Sequence, residues 1–234
     1  MGGASGQSVD PSWKGAYKAG GIALIISAVL FFIFLYPALV LGTPTTGEGF
    51  LTQAGRTSLF GAEYSLAISS DCFAIPAGLA LYLALKDARK TGMLVAVALW
   101  EIGIVLDLGR LFLGYSVSSL SAGYTAAASS QAQQAAYVAA SDLAFGISWG
   151  AGVVAVTVLI SISILIISWV MRNGIFSKGI AYLGIAASII GLVGSPYSPA
   201  LFSPEALVIP FLLSALLAEI WFILVGYKLY KLGS

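Results

Sequence analysis

The chain of 234 residues has no histidine, a single cysteine (Cys72) and a single asparagine (Asn173), and only 9% of its residues are charged. Without histidine, imidazole-held haem, most zinc and copper sites and any Cys/His nucleophile pair are excluded, and one thiol closes no disulfide within the chain. There is no Gly-rich phosphate loop and no HExxH, so hydrolysis by a familiar metal site or triad is disfavoured, and no residue pattern calls for a cofactor. Asn173 stands in no glycosylation sequon, and the scarcity of Asn, Gln and Met is compatible with a thermophile. A soluble domain carries roughly 25% charged residues. Here 59% of residues are hydrophobic and the mean hydropathy is +0.97, so the solvent for most of the surface is lipid. The net charge is +1, and the eleven basic residues are scattered singly or in short groups. No basic face exists to follow a phosphate backbone, which argues against a nucleic-acid partner.

Long apolar runs are what the chain has instead. A membrane helix needs about 20 apolar residues to cross roughly 30 Å of hydrocarbon. Six segments meet or approach that length: Tyr17 to Leu41, Tyr64 to Leu85, Thr91 to Tyr115, Leu143 to Met171, Lys178 to Gly194 and Ala206 to Tyr227. The expected fold is all-α, a polytopic membrane helix bundle with six transmembrane helices forming one domain over 17–231. Residues 1–16 read as a flexible polar tail, with Gly6 where a myristoylation signal requires Ser or Thr. The fifth segment is the shortest; the run SPYSPALFSPEA closes it, because the residue before a proline is pushed away from helix.

Basic residues orient the bundle. Lys14 and Lys18, then Lys86, Arg89 and Lys90, then Arg172 and Lys178, then Lys228 and Lys231 all fall on one side if there are six spans. The positive-inside rule then places both termini in the cytoplasm of a multi-pass protein of the cell membrane. Trp13, Trp169 and Tyr227 read as aromatic anchors at that interface. Outside, Gly42 to Glu63 reads as a Gly/Thr-rich loop. Ser116 to Asp142 is an Ala/Ser/Gln-rich stretch whose second half can run on as an extension of the fourth helix.

Small residues four apart let helix backbones approach closely. Gly184 and Ser188, and Ala187 and Gly191, show this spacing in the fifth span, and Gly146 and Gly150 repeat it in the fourth. Packing within the bundle and contact in a homo-oligomer both fit. The third span carries charge, and a charge near the bilayer centre costs at least about 2.5–3.5 kcal/mol. It should therefore lie inside the bundle. Counted at 1.5 Å per residue, Asp71 lies about 22 Å and Asp107 about 25 Å above the cytoplasmic charges, and Arg110 lies three residues beyond Asp107 on nearly the same face. These three form an expected outer cluster, read either as a polar staple that fixes helix register or as part of an ion or substrate path. Glu101 at about 16 Å and Glu219 at about 13 Å form an expected inner layer of buried carboxylates. A buried carboxyl with no cation beside it is costly as an anion but tolerable as a neutral hydrogen-bonding group, so each is either a packing contact or a proton carrier. Trp100 and Trp221 beside them either floor an apolar pocket or pack as aromatics. Cys72 reads as a small core residue. Pro76 and Pro210 are placed to break a span.

The segments RNGIFSKGIAYLGIAASIIGLVGS and AEIWFILVGYKLYKLG, with Gly174, Phe176, Lys178, Gly179, Glu219, Trp221 and Gly226, resemble the prokaryotic membrane family labelled domain of unknown function 4386. LALYLALKDARKTGMLVAVAL is similar to that family's second and third helices. The resemblance implies a six-helix integral membrane protein and transfers no catalytic residue. The residues point first to a structural or accessory unit in membrane lipid, self-assembling as a homo-oligomer or joined to a larger membrane complex. The alternative is a small transporter or proton-linked channel using the intramembrane carboxylates. A membrane enzyme on lipid or quinone, with Glu101 and Glu219 as acid and base, comes third.

Overall fold

Seven α-helices and the short turns that join them account for the computed structural model, which describes residues 10–42, 44–193 and 204–234. Among the described residues there is no strand. Asp10 opens the order by accepting a 2.9 Å hydrogen bond from the Ser12 amide, which caps a 3₁₀ turn over Pro11–Trp13. That bond holds the Asp10 carboxyl below its ordinary range. Helix α1 then runs over Lys14–Leu41, so the polar N-terminal stretch is helical from three residues ahead of the expected first span; residues 1–9 lie outside the described residues.

The segment between the first two spans is not a plain loop. It holds α2, Gly47–Ala54, whose N-cap Thr46 accepts from the Gly49 amide at 3.1 Å. Its Phe50, Leu51 and Ala54 are buried against Phe60, Val117 and Ala144, forming a second small core at the end of the molecule away from the termini.

Helix α3, Thr57–Ala126, has 70 residues. Straight, it would be about 105 Å long, more than three hydrocarbon thicknesses, so it must fold back. It does so at Arg89, whose extended backbone (φ −158°, ψ 82°) interrupts the helix. The polar run KDARKT supplies the reason, since it separates two apolar stretches where water is the better solvent. The limbs 57–88 and 90–126 then pack antiparallel: Trp100 Nε1 donates to Ala74 O at 3.1 Å, and Gly114 lies against Tyr64. Helix continues through Pro76 in the first limb, as it does through Pro37 in α1 and Pro210 in α7, so neither expected breaker ends its element. The second limb also continues past Tyr115 to Ala126, so the first half of the expected Ser116 to Asp142 connection is helical too and only a short turn precedes α4.

Helix α4, Gln131–Gly152, widens into a π-helical segment over Val153–Ile160 and returns to α geometry as α5, Ser161–Met171. The expected upward extension of the fourth helix is present. The wide turn matches a run rich in β-branched side chains, VVAVTV, which crowd an α-helical turn. Ser161 Oγ reaches back five residues to Val156 O at 3.2 Å. Helices α6, Lys178–Val193, and α7, Pro204–Gly233, complete the chain.

Each long helix packs on its neighbour in the chain, and α7 closes against α1. Because lipid tails are as apolar as leucine, close packing and interhelical hydrogen bonds hold such a bundle, at roughly 0.6 kcal/mol per bond. Both are visible. Gly21 faces Gly226 O, Gly184 faces Ser168 and Trp221, and Gly191 faces Ser161 and Ser214. Ser27 and Ser70 bond at 3.0 Å, Ser163 Oγ donates to Ala96 O at 2.7 Å, and Ser214 Oγ donates to Ala187 O at 2.8 Å. Gly184, Ala187, Ser188 and Gly191 are buried and serve packing within the chain. Gly146 and Gly150 do not: both face outward with nothing within 4 Å of where a Cβ would stand. The start of α1 meets the end of α7, with Gly233 against Lys14 and Lys18, so the first and last helices share one end of the bundle.

Candidate functional site

Asp107 and Arg110 stand one turn apart on the second limb of α3, and their side chains meet in a two-pronged ion pair. Arg110 Nε donates to Asp107 Oδ1 at 2.5 Å, and its terminal nitrogen donates to Oδ2 at 3.2 Å. Asp107 is buried, and Arg110 is half-buried. The neighbouring helix makes room for the guanidinium: a Cβ on Gly152 would lie 3.0 Å from Arg110 Cδ and Nε, so any larger residue there would press on this side chain. Ser148 Oγ also donates to Arg110 O at 3.2 Å. The π segment begins at the next residue, and Gly103 lies close to Ala155 O and Ile160. The ion pair and the widened turn are thus neighbours.

Asp71, from the first limb, completes the expected outer cluster, within electrostatic reach of both Asp107 and Arg110. The inner layer is different from the sequence expectation. Glu219 is buried within electrostatic reach of Asp71 and belongs with the outer cluster, whereas Glu101 stands apart. The cause is helix register: antiparallel packing of α7 on α1, with Gly226 against Gly21, sets Glu219 beside the level of Ser27 and Ser70, next to Asp71. Counting residues up from the C-terminal lysines could not supply that offset. Glu101 lies nearer the termini, its Oε1 against Gly78 on the facing limb.

Glu63 is a further member that sequence reasoning assigned to the external loop. It lies on the first limb, eight residues before Asp71, and is within electrostatic reach of Arg110. Its signal was the helical period: residues eight apart share a face, so a helix extended back from Asp71 carries Glu63 towards the same side.

Among the described residues three carboxyl oxygens are buried without a hydrogen-bond partner: Asp71 Oδ2 and Glu219 Oε2 in the cluster, and Glu101 Oε1 apart from it. Around Arg110, three carboxyls (Glu63, Asp71 and Asp107) share one guanidinium, and Glu219 lies beyond them within reach of Asp71. Full ionisation would leave two uncompensated negative charges at Arg110 and a third on Glu219 in a low-dielectric bundle, each costing on the order of several kcal/mol. Among the described residues no three His, Cys, Asp or Glu side chains converge as metal ligands. The chemistry this arrangement can offer is the binding and release of protons.

The tryptophans are packing groups. Trp100 and Trp221 are fully buried on either side of Phe222, at ring centroid distances of 5.3 and 5.7 Å. Cys72, expected in the core, is exposed on the outer face of the first limb, because helical rotation past Asp71 turns it outward with Phe73. Trp13, Trp169 and Tyr227 are exposed at the end shared by the first and last helices, each with a cation over its ring: Lys86, Arg172 and Lys231 respectively. Among the described residues, four helices are long and apolar enough to cross a membrane, α3 counting as one of them. No family model matches the chain, and no curated protein and no solved structure matches it either.

Proposed function

We propose that this chain is a six-span membrane protein with both termini in the cytoplasm, and that the carboxyl layer around Arg110 carries protons in support of transport across the bilayer. The six spans are α1, the two limbs of α3, the α4–α5 rod, α6 and α7. The limbs 57–88 and 90–126 are about 48 and 55 Å long, each sufficient to cross. Nine of the eleven basic residues gather at the end that holds the first and last helices, and only Arg56 and Arg110 lie elsewhere, which favours that end as cytoplasmic.

The observation that carries the functional reading is the pair of unpartnered buried carboxyl oxygens on Asp71 and Glu219. A polar staple stabilises by satisfying each group it brings together. Here two helices each bury a carboxyl with one oxygen left unsatisfied, an arrangement that suits a site exchanging protons. The test is proton uptake into liposomes holding the purified protein and a trapped pH dye, driven by a potassium diffusion potential. Wild type should exceed empty liposomes, and Asp71→Asn and Glu219→Gln should fall to the empty rate. Equal uptake in protein-free and wild-type liposomes would end this reading.

A self-assembling or accessory role has one specific support, the outward Gly146 and Gly150 on α4, flanked by exposed Leu143 and Ile147. If that face pairs with another helix, Gly146→Leu should halve the mass of the complex extracted gently from its membrane. An unchanged mass, or a monomer in wild type, removes it.

A further inference from the structure

At the end that carries nine basic residues, the α3 break and the last turn of α5 enclose a cleft of about 90 Å³ lined by Ala88, Arg89, Trp169, Val170 and Asn173. Arg89 is the residue whose extended backbone turns α3 back, and it is exposed. Arg172 lies with its guanidinium 4.4 Å from the Trp169 ring centroid and 5.6 Å from that of Tyr182. Neither arginine is in an ion pair with a described residue. One guanidinium, that of Arg89, and the Asn173 carboxamide therefore line a small cleft that holds no carboxylate, and a second guanidinium, that of Arg172, stacks on its Trp169, which is 51% exposed.

We propose that this cleft binds the phosphodiester of an anionic membrane phospholipid. Guanidinium groups match phosphate oxygens in geometry as well as charge: Arg89 supplies one in the lining, and Arg172, stacked over the Trp169 ring, adds a second positive charge beside it. The volume is well below the roughly 300–1,000 Å³ of small-molecule sites, so it holds one phosphate with its ester oxygens and excludes a whole soluble metabolite. Trp169 marks the headgroup level, where indole rings settle, and the surrounding lysines add the attraction that draws anionic lipid to a basic surface. Three lysines at this end, Lys18, Lys86 and Lys231, stack on Tyr230, Trp13 and Tyr227 instead of lining this cleft. The inference depends on the bundle lying in a bilayer and not on what the carboxyl layer does.

Full-length protein in neutral detergent is titrated with brominated phosphatidylglycerol or brominated phosphatidylcholine, and the contribution of Trp169 is taken as the difference between wild type and Trp169→Phe. The anionic lipid should quench Trp169 at a lower mole fraction than the zwitterionic one. Arg89→Gln should raise that mole fraction about fivefold, and adding Arg172→Gln should bring the two lipids together, as expected for about fivefold per basic group near an anionic headgroup. Arg89→Gln alone keeps the test valid should the double variant lose its fold, because Arg89 is exposed. Excess inorganic phosphate should leave the curve in place. Equal quenching by the two lipids in wild type, an unmoved curve in Arg89→Gln, or displacement of the lipid by inorganic phosphate would each overturn the assignment.

Discussion

Arg110 and Asp107 form a pair that is expensive to break and cheap to keep. Removing one member strands the other in a low-dielectric bundle at a cost of about 3–5 kcal/mol. Arg110→Met, similar in length and uncharged, should therefore lower the thermal midpoint in detergent sharply, as followed by circular dichroism. Asp71→Asn and Glu219→Gln keep shape and hydrogen-bonding capacity while removing only ionisation. If those carboxyls sit in the fold as neutral groups, each substitution should change stability by less than about 1 kcal/mol, within the range of tolerated isosteric changes. A loss as large as that of Arg110→Met would show that their negative charge is structural and would move the cluster back towards a staple. The sequence displayed the Asp107–Arg110 pair because both lie on one helix at a fixed spacing. It could not display Glu219 beside Asp71, which depends on how α7 slides along α1.

At the scale of elements, the glycines separate into those that set a helix–helix distance and those that do not. A Cβ on Gly21 would meet the backbone of α7 at Gly226 and Tyr230, which cannot move aside as a side chain can. Gly21→Ala should destabilise by about 1–3 kcal/mol, the range for overpacking, while Gly146→Ala, with nothing within 4 Å, should be nearly silent in the monomer. Thermal unfolding of the two variants side by side gives the comparison. Helix α2 is held by a different device: Asp142 Oδ1 accepts the Gly47 amide at 2.6 Å, and Ser141 Oγ donates to Gly47 O at 2.8 Å. Asp142→Ala should weaken this attachment by about 0.5–2 kcal/mol, as for loss of a helix cap, and hasten proteolysis between residues 43 and 56. The π segment fixes the rotation of α4 relative to α5. Deleting Val154 should turn the outer half by about 100°, carrying Ser148 away from Arg110 and lowering the thermal midpoint.

For the whole molecule, the arrangement of ends makes a prediction about sidedness. Ser12 and Ser129 are both exposed and lie at opposite ends of the bundle. In a Cys72→Ala background, Ser12→Cys should react with a membrane-impermeant maleimide only in inverted vesicles, and Ser129→Cys only in right-side-out ones. Reaction of both from one side would refute the six-span arrangement. Cys72 itself, exposed on the outer face of the first limb, should stay unlabelled in intact membranes when that limb spans the bilayer.

Sequence alone was enough for the all-helical, membrane-fitted character of the chain, because apolar runs and the cost of unsatisfied backbone groups in lipid leave almost no other solution. It was also enough for the charge asymmetry, which is a property of order along the chain. The ion pair of Asp107 with Arg110 and the packing role of Gly184 and Gly191 were legible for the same reason, since both follow from spacing on a single helix. Tertiary structure decided the rest. Whether Cys72 points to lipid or core, whether Gly146 touches a neighbour, and which carboxyl joins Arg110 all depend on rotation and offset between helices. Those quantities are set by close approaches such as Gly21 on Gly226, several turns away from the residues they position.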